Sequence, residues 1–267
     1  MTQKLIAIDL DGTTLNGSSL ISPKTKDVLQ RATKAGHIVS IATGRPFRMS
    51  EQFYRQLNLK SPMVNFNGAL VHLPYQHWLQ ESETLFSRDI VFDILAQKDA
   101  LQLDYIAAEN RDTFFVDRID FEDAYLFSNE KPTEANLLEN LKTNPTSMLV
   151  QTNNDMAETV TNRLVQQYSN YVDVSTWGGP KAILEIVAKG IEKAHGVKII
   201  ADSFQIDRQN IIAFGDEHND VEMLDYAGWG VAMANGSEGA KAAANDITEK
   251  TNDEDGLADY LEKYLAI

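Results

Sequence analysis

Residues 7–16 read AIDLDGTTLN: an apolar run that begins at Leu5 stops on two aspartates one residue apart, followed at once by a glycine and two threonines. An aspartate can end a strand for turn reasons alone, because its side chain bonds nearby backbone and tolerates unusual dihedrals. A second one so close is harder to place that way. If the chain stays extended, period-two alternation sends Asp9 and Asp11 to the same side, where two ionised carboxylates repel unless a divalent cation joins them. Gly12 lets the chain double back, and Thr13 and Thr14 bring hydroxyls to the bend. Taken alone, the stretch is better accounted for as an Asp-x-Asp-Gly turn with capping threonines.

Outward from this stretch the chain alternates between the two periods of regular structure. KLIAIDL reads as a buried strand, SPKTKDVLQRATKAG as a helix with Val28, Leu29, Ala32 and Ala35 on one face, and HIVSIATG as a second strand. RPFRMSEQFYRQLN follows as a helix and PMVNFNGA as a third strand. This rhythm predicts an α/β fold with a Rossmann-like parallel sheet, whose ligands gather at the carboxyl ends of the strands. From about residue 84 the pattern changes to helix, paired strands (LDYIAAEN and TFFVD), a helical region, strand, helix and two further strands, YVDVST and AILEIV. Strand pairs joined by short turns predict a mostly antiparallel α+β module. After about residue 188 the first rhythm returns, with NIIAFGD and GWGVAM as strands. The expected organisation is therefore a core of 1–83 with 188–267 and an inserted module of 84–187, with hinges near residues 83 and 188.

Composition narrows the chemistry. With 24 Lys plus Arg against 39 Asp plus Glu, the 267 residues carry a formal charge of −15. That charge opposes binding to nucleic acid or an anionic membrane surface, so a phosphorylated small molecule must be met by a local positive centre. No cysteine is present, which excludes disulfides, thiolate metal sites and a cysteine nucleophile. No signal peptide or membrane-length apolar run is evident, and a cytoplasmic protein is expected.

Three more stretches carry candidate ligands. In SIATGR, residues 40–45, Thr43 and Gly44 present a hydroxyl and a backbone N–H ahead of a helix, with Arg45 as a second anion contact; a simple helix cap is the alternative. In AFGDEHND, residues 213–220, Asp216, Asn219 and Asp220 suit a hard cation such as Mg²⁺, although turn acids would also fit. His218 has no second histidine at ligand spacing and is read as loop surface. Lys189 and Lys193, in AKGIEKAHG, offer point charges for phosphate or are ordinary surface lysines. Agreement among separate strand ends is what favours a site over independent turns.

These residues resemble the four motifs of the haloacid dehalogenase-like superfamily: DLDGTTL, Thr43 in IATGR, Lys193, and GDEHND. The insert between the second and third, with NFNGA, GVAMANG and NDEDGLADYL, is similar to the Cof-type branch and its type II (C2B) cap. The sequence departs from that pattern at Ala188 and Glu192, which leaves Lys189 as a rival to Lys193, although the spacing after Gly190 favours the latter. The resemblance implies a Mg²⁺-dependent phosphatase acting on a sugar phosphate, nucleotide or cofactor phosphate through an aspartyl-phosphate. It implies Asp9 as nucleophile and Asp11 as acid and base. Thr43, Gly44, Arg45, Lys193 and Asn219 would hold the phosphoryl group or substrate, and Asp9, Asp11 (through its carbonyl), Asp216 and Asp220 would form the metal site. The insert would close as a lid, with Trp177, Tyr105 and Arg111 as undistinguished candidates for substrate contact. A phosphomutase or phosphotransferase, or a non-catalytic phosphate sensor, remains as an alternative.

Overall fold

The computed structural model describes residues 2–111, 113–118, 135–177 and 182–267; much of the helical region expected between TFFVD and SMLVQT, and the side chain of Trp177, lie outside them. The chain divides into two compact units, Met1–Ser82 with Glu192–Ile267, and Glu83–Ile191.

The first unit opens with β1 (Leu5–Ile8), α1 (Pro23–Lys34), β2 (Ile38–Ile41), α2 (Phe47–Leu57), β3 (Met63–Asn65) and β4 (Leu70–His72). A two-residue strand, β5 (Ser82–Glu83), takes one residue from the end of this segment and one from the start of the second unit. The second unit contains α3 (Arg88–Ala96), β6 (Leu103–Glu109), β7 (Phe114–Val116), α4 (Leu137–Asn140), β8 (Ser147–Thr152), α5 (Ala157–Tyr168), β9 (Val172–Trp177) and β10 (Ala182–Ala188). The first unit then resumes with α6 (Lys193–Ser203), β11 (Ile211–Gly215), α7 (Val221–Tyr226), β12 (Trp229–Ala232), α8 (Glu238–Ala243), β13 (Asp246–Ile247) and α9 (Gly256–Leu265).

In the first unit a parallel sheet runs in the order β13-β12-β11-β1-β2. Strand alternation sorts its core. Ile6 and Ile8 face Val28, Leu29, Phe53, Leu257 and Leu261, while Leu5 and Ala7 face Val197, Ile200, Met223 and Leu224. Helices therefore cover both faces, and the strands can be apolar throughout. Ser22 accepts from Thr25 N–H at 3.0 Å and Pro23 opens α1, so the cap that starts this helix is written in its sequence. The sheet differs from expectation at β3, which meets it only through the parallel bridge Ala42↔Val64 and pairs antiparallel with β4. The residues after Asn65 turn back at once, which lays β4 alongside β3.

In the second unit an antiparallel sheet runs β7-β6-β8-β10-β9. One face packs Ile106, Ala108, Met148, Val150, Leu184 and Ile186 against Ile90, Val91 and Ile94 of α3 and Val160 and Leu164 of α5. Asp173 on β9 accepts from Gly190 N–H at 2.7 Å and from the Lys189 ammonium at 2.5 Å, which keeps those two residues with this unit.

Candidate active site

Register decides which residues meet. Ile8 pairs with Phe214 on one side and Ile41 on the other, so β1, β2 and β11 end level. The residues that follow, Asp9, Ala42–Thr43 and Asp216, thus emerge at one edge of the sheet. α6 starts with Lys193, which brings a cation to the same edge.

Lys193 is 1% exposed, and its ammonium donates to Asp9 Oδ1 and Asp220 Oδ1, each at 2.7 Å. Asp220 Oδ2 accepts from the backbone N–H of Asp216 at 2.9 Å and of Glu217 at 3.1 Å, which fixes the loop after β11. Thr13 donates to Asp216 Oδ1 at 2.8 Å, and Thr14 donates to the Asp9 carbonyl at 2.5 Å. A β-carbon on Gly12, at φ 73°, would stand 2.1 Å from Asp216 Oδ2, so this bend needs glycine for both conformation and space.

Asp9, Asp216 and Asp220 are all buried, and one carboxylate oxygen from each lies within 4.8 Å of the others. Three ionised carboxylates against one ammonium would leave two negative charges unbalanced among buried side chains. Burial first, then Asp220, Asp216 and Asp11, push Asp9 well above the usual carboxylate range, against the opposing pull of Lys193. Burial pushes Asp216 up to about 7, against the Thr13 hydrogen bond. Burial alone would lower Lys193, but Asp220 and Asp9 outweigh it and hold the ammonium above its ordinary value. A cluster of hard oxygens with this charge deficit fits a divalent cation bound through oxygen.

Asp11 departs from the alternation expected of it. The strand ends at Ile8 and Leu10 enters a tight turn through Thr14, so Asp11 does not follow Asp9 into the cluster. Its side chain is 57% exposed and forms a two-pronged ion pair with Arg45, in which Nε donates to Oδ2 at 2.7 Å and an Nη donates to Oδ1. The Thr43 side chain accepts from Arg45 N–H at 3.1 Å, and its backbone N–H donates to the Val64 carbonyl at 3.0 Å. Asn219 donates to Asn67 Oδ1 at 3.0 Å. His218 lies on the surface, with its side chain 63% exposed, and Lys189 stays with the second unit.

Several contributors lie in NFNGA and GVAMANG, stretches that carry the resemblance but to whose asparagines the sequence assigned no role. Asn65, fully buried, donates to the Arg45 carbonyl at 2.7 Å and to Ser50 Oγ at 2.9 Å, and its Oδ1 is 2.9 Å from His72 Nε2. Asn235 donates to the Gly12 carbonyl at 2.8 Å and so steadies the bend after Asp11. The Asn67-Gly68 dipeptide is a turn signal that could have been noticed. Asn65 and Asn235 carry no such signal, because their roles depend on contacts distant in sequence.

The family model for haloacid dehalogenase-like hydrolases matches residues 6–261. The 5-amino-6-(5-phospho-D-ribitylamino)uracil phosphatase YitU of Bacillus subtilis (strain 168) is 37% identical, with 98% of each chain covered. The pyridoxal phosphate phosphatase YbhA of Escherichia coli (strain K12) is 26% identical, over 99% of this chain and 100% of that one. Among solved structures, a haloacid dehalogenase-like hydrolase from Bacteroides thetaiotaomicron superposes with a TM-score of 0.87 at 26% identity, covering 98% of this chain and all of that one. Matched almost end to end in sequence and fold, with its acids and lysine gathered at one sheet edge, this chain belongs to the haloacid dehalogenase-like hydrolases.

Proposed function

We propose that the protein is a phosphatase that hydrolyses the monoester of a small phosphorylated metabolite, with Asp9 as nucleophile and Mg²⁺ as cofactor. The observation that carries this reading is the buried Asp9–Lys193–Asp220 contact beside Asp216. It aligns a carboxylate with an ammonium in a place where the charge balance calls for a cation.

Asp9 attacks phosphorus; the bond from its carboxylate oxygen to phosphorus forms as the bond to the ester oxygen breaks. Asp11, as the carboxylic acid, gives its proton to the departing alkoxide. Its carboxylate then takes a proton from the water that attacks the aspartyl-phosphate, releasing phosphate and free Asp9. The exposure of Asp11 leaves its carboxyl open to substrate and water, and the pair with Arg45 fixes its place at the bend. Lys193 and Thr43 hold phosphoryl oxygens, with Gly44, Arg45 and Asn219 beside them. Asp9, Asp216 and the Asp11 carbonyl would hold Mg²⁺, with Asp220 at their side, and the ion when bound offsets repulsion between the anionic nucleophile and the phosphate.

For the substrate, the 37% identity to the ribitylaminouracil phosphate phosphatase, over 98% of both chains, supports an ester of that kind over pyridoxal phosphate. The inserted module, 84–187, would supply contacts to its non-phosphate part. The test is a phosphate-release assay on both esters, with Mg²⁺ and with chelator. Faster release from the ribitylaminouracil ester, abolished by chelator and reduced at least about a thousandfold in Asp9→Asn, is expected. Full activity in Asp9→Asn would overturn the mechanism. Conversion to an isomeric phosphate without release would mark a mutase.

A further inference from the structure

Three successive residues after β3 stand at positive φ: Phe66 at 49°, Asn67 at 53° and Gly68 at 112°. Left-handed backbone crowds any residue with a β-carbon, and Phe66 is a large side chain only 2% exposed. Such a run persists only where its surroundings hold it in place, and it clusters at functional sites. The neighbours here are the three segments that carry the proposed phosphoryl contacts.

Phe66 N–H donates to the Arg45 carbonyl at 3.4 Å, and Asn67 N–H donates to the Thr43 carbonyl at 3.2 Å. The turn thereby grips the loop of residues 43–45 through its carbonyls. The Asn67 amide lies against the same loop, where a β-carbon on Gly44 would stand 3.1 Å from both Oδ1 and Nδ2. Asn67 Oδ1 also accepts from Asn219 at 3.0 Å. A β-carbon on Gly68 would come 2.3 Å from the Glu192 carbonyl oxygen, one residue before Lys193. One left-handed turn therefore touches the Thr43 loop, the start of the Lys193 helix and the Asn219 loop.

We propose that Asn67 is a positioning residue for the phosphoryl group: its backbone N–H holds the Thr43 carbonyl, its side-chain amide packs against Gly44 and accepts from Asn219, and its left-handed backbone lets Gly68 seat the segment leading to Lys193. The proposal rests on the phosphoryl-transfer reading of this site. Asn67 acts through its neighbours and forms no bond to the reacting atoms.

Asn67→Gly tests it, because glycine keeps the left-handed backbone accessible and removes only the amide. On an ester that the parent cleaves, kcat/KM is expected to fall roughly 10- to 100-fold, mostly in kcat, as for other groups that orient a reacting shell. The unfolding midpoint should stay near that of the parent. Affinity for inorganic phosphate, measured by calorimetry on Mg²⁺-loaded protein, should weaken alongside. Parental turnover and parental phosphate affinity in N67G would overturn the proposal and leave the phosphatase reading intact. A parent that releases no phosphate from any ester, yet binds inorganic phosphate more tightly than N67G, would overturn the reaction class and support the positioning role. A parent that neither turns over nor binds phosphate would overturn both. If N67G does not fold, Asn67→Ser removes the amide without adding charge. Weakened phosphate affinity in N67S then supports the proposal, and parental affinity overturns it.

Discussion

Lys193 lies between Asp9 and Asp220 with 1% of its surface exposed, so its ammonium balances charge inside the protein as well as offering it to a ligand. Removing one partner of a buried ion pair leaves the other uncompensated and costs about 3–5 kcal/mol. Lys193→Met is therefore expected to lose stability of that order in denaturant unfolding with chelator present; a loss under about 1 kcal/mol would show that the carboxylates are balanced some other way. Much of this residue set was legible beforehand, because Asp9, Thr43 and Asp216 each follow an apolar strand and a strand's end can be read from its run. The position of Asp11 was not. Alternation assumed an extended backbone through residue 11, whereas the chain leaves the strand at Ile8, and the carboxylate turns to Arg45. Asn65 and Asn67 lie in NFNGA, which carries the resemblance, but their roles were not legible because a buried amide is recognised by its partners, and those partners are remote in sequence.

Among elements, the turn from α1 into β2 makes a pH-dependent contribution that can be measured. His37 is buried, and its Nδ1 accepts from Lys4 N–H at 3.2 Å, which only the neutral ring can do. Burial, then the nearby Lys4 charge, lowers its pKa below the ordinary 6.5. The folded protein thus binds this proton less readily than the unfolded chain. The stability contributed by neutral His37 is fully present above 6.5 and is lost as pH falls from there toward the folded value. From about pH 7.5 down to about pH 5.5 the thermal midpoint of the parent should fall relative to that of His37→Gln; parallel curves would contradict the assignment. Element identity was easiest to read where caps accompany period, as at Ser22 and Pro23 before α1. It was hardest for β4, with three residues, and for β13, with two, because so short a run carries no period. The left-handed turn after β3 is announced only by Asn67-Gly68, and nothing in the sequence signals that Phe66 shares that conformation.

For the whole molecule, the sequence rhythm makes an α/β unit interrupted by an α+β one, and the two described units contain a parallel and an antiparallel sheet respectively. Hydropathy carries that distinction, since strands covered on both faces are apolar throughout while paired antiparallel strands come in short, turn-linked runs. No helix among the described residues is long and apolar enough to cross a membrane. Substrate choice was not legible, because a phosphoryl group presents the same end on every ester and the rest of the molecule must be recognised by side chains that no local pattern marks. The central claim, that Asp9 takes the phosphoryl group, is tested most directly by trapping. Enzyme mixed with substrate and Mg²⁺, then quenched with borohydride, should contain homoserine at position 9, the product of reducing an aspartyl-phosphate there. Homoserine at another carboxylate, or none while phosphate is being released, would contradict the account.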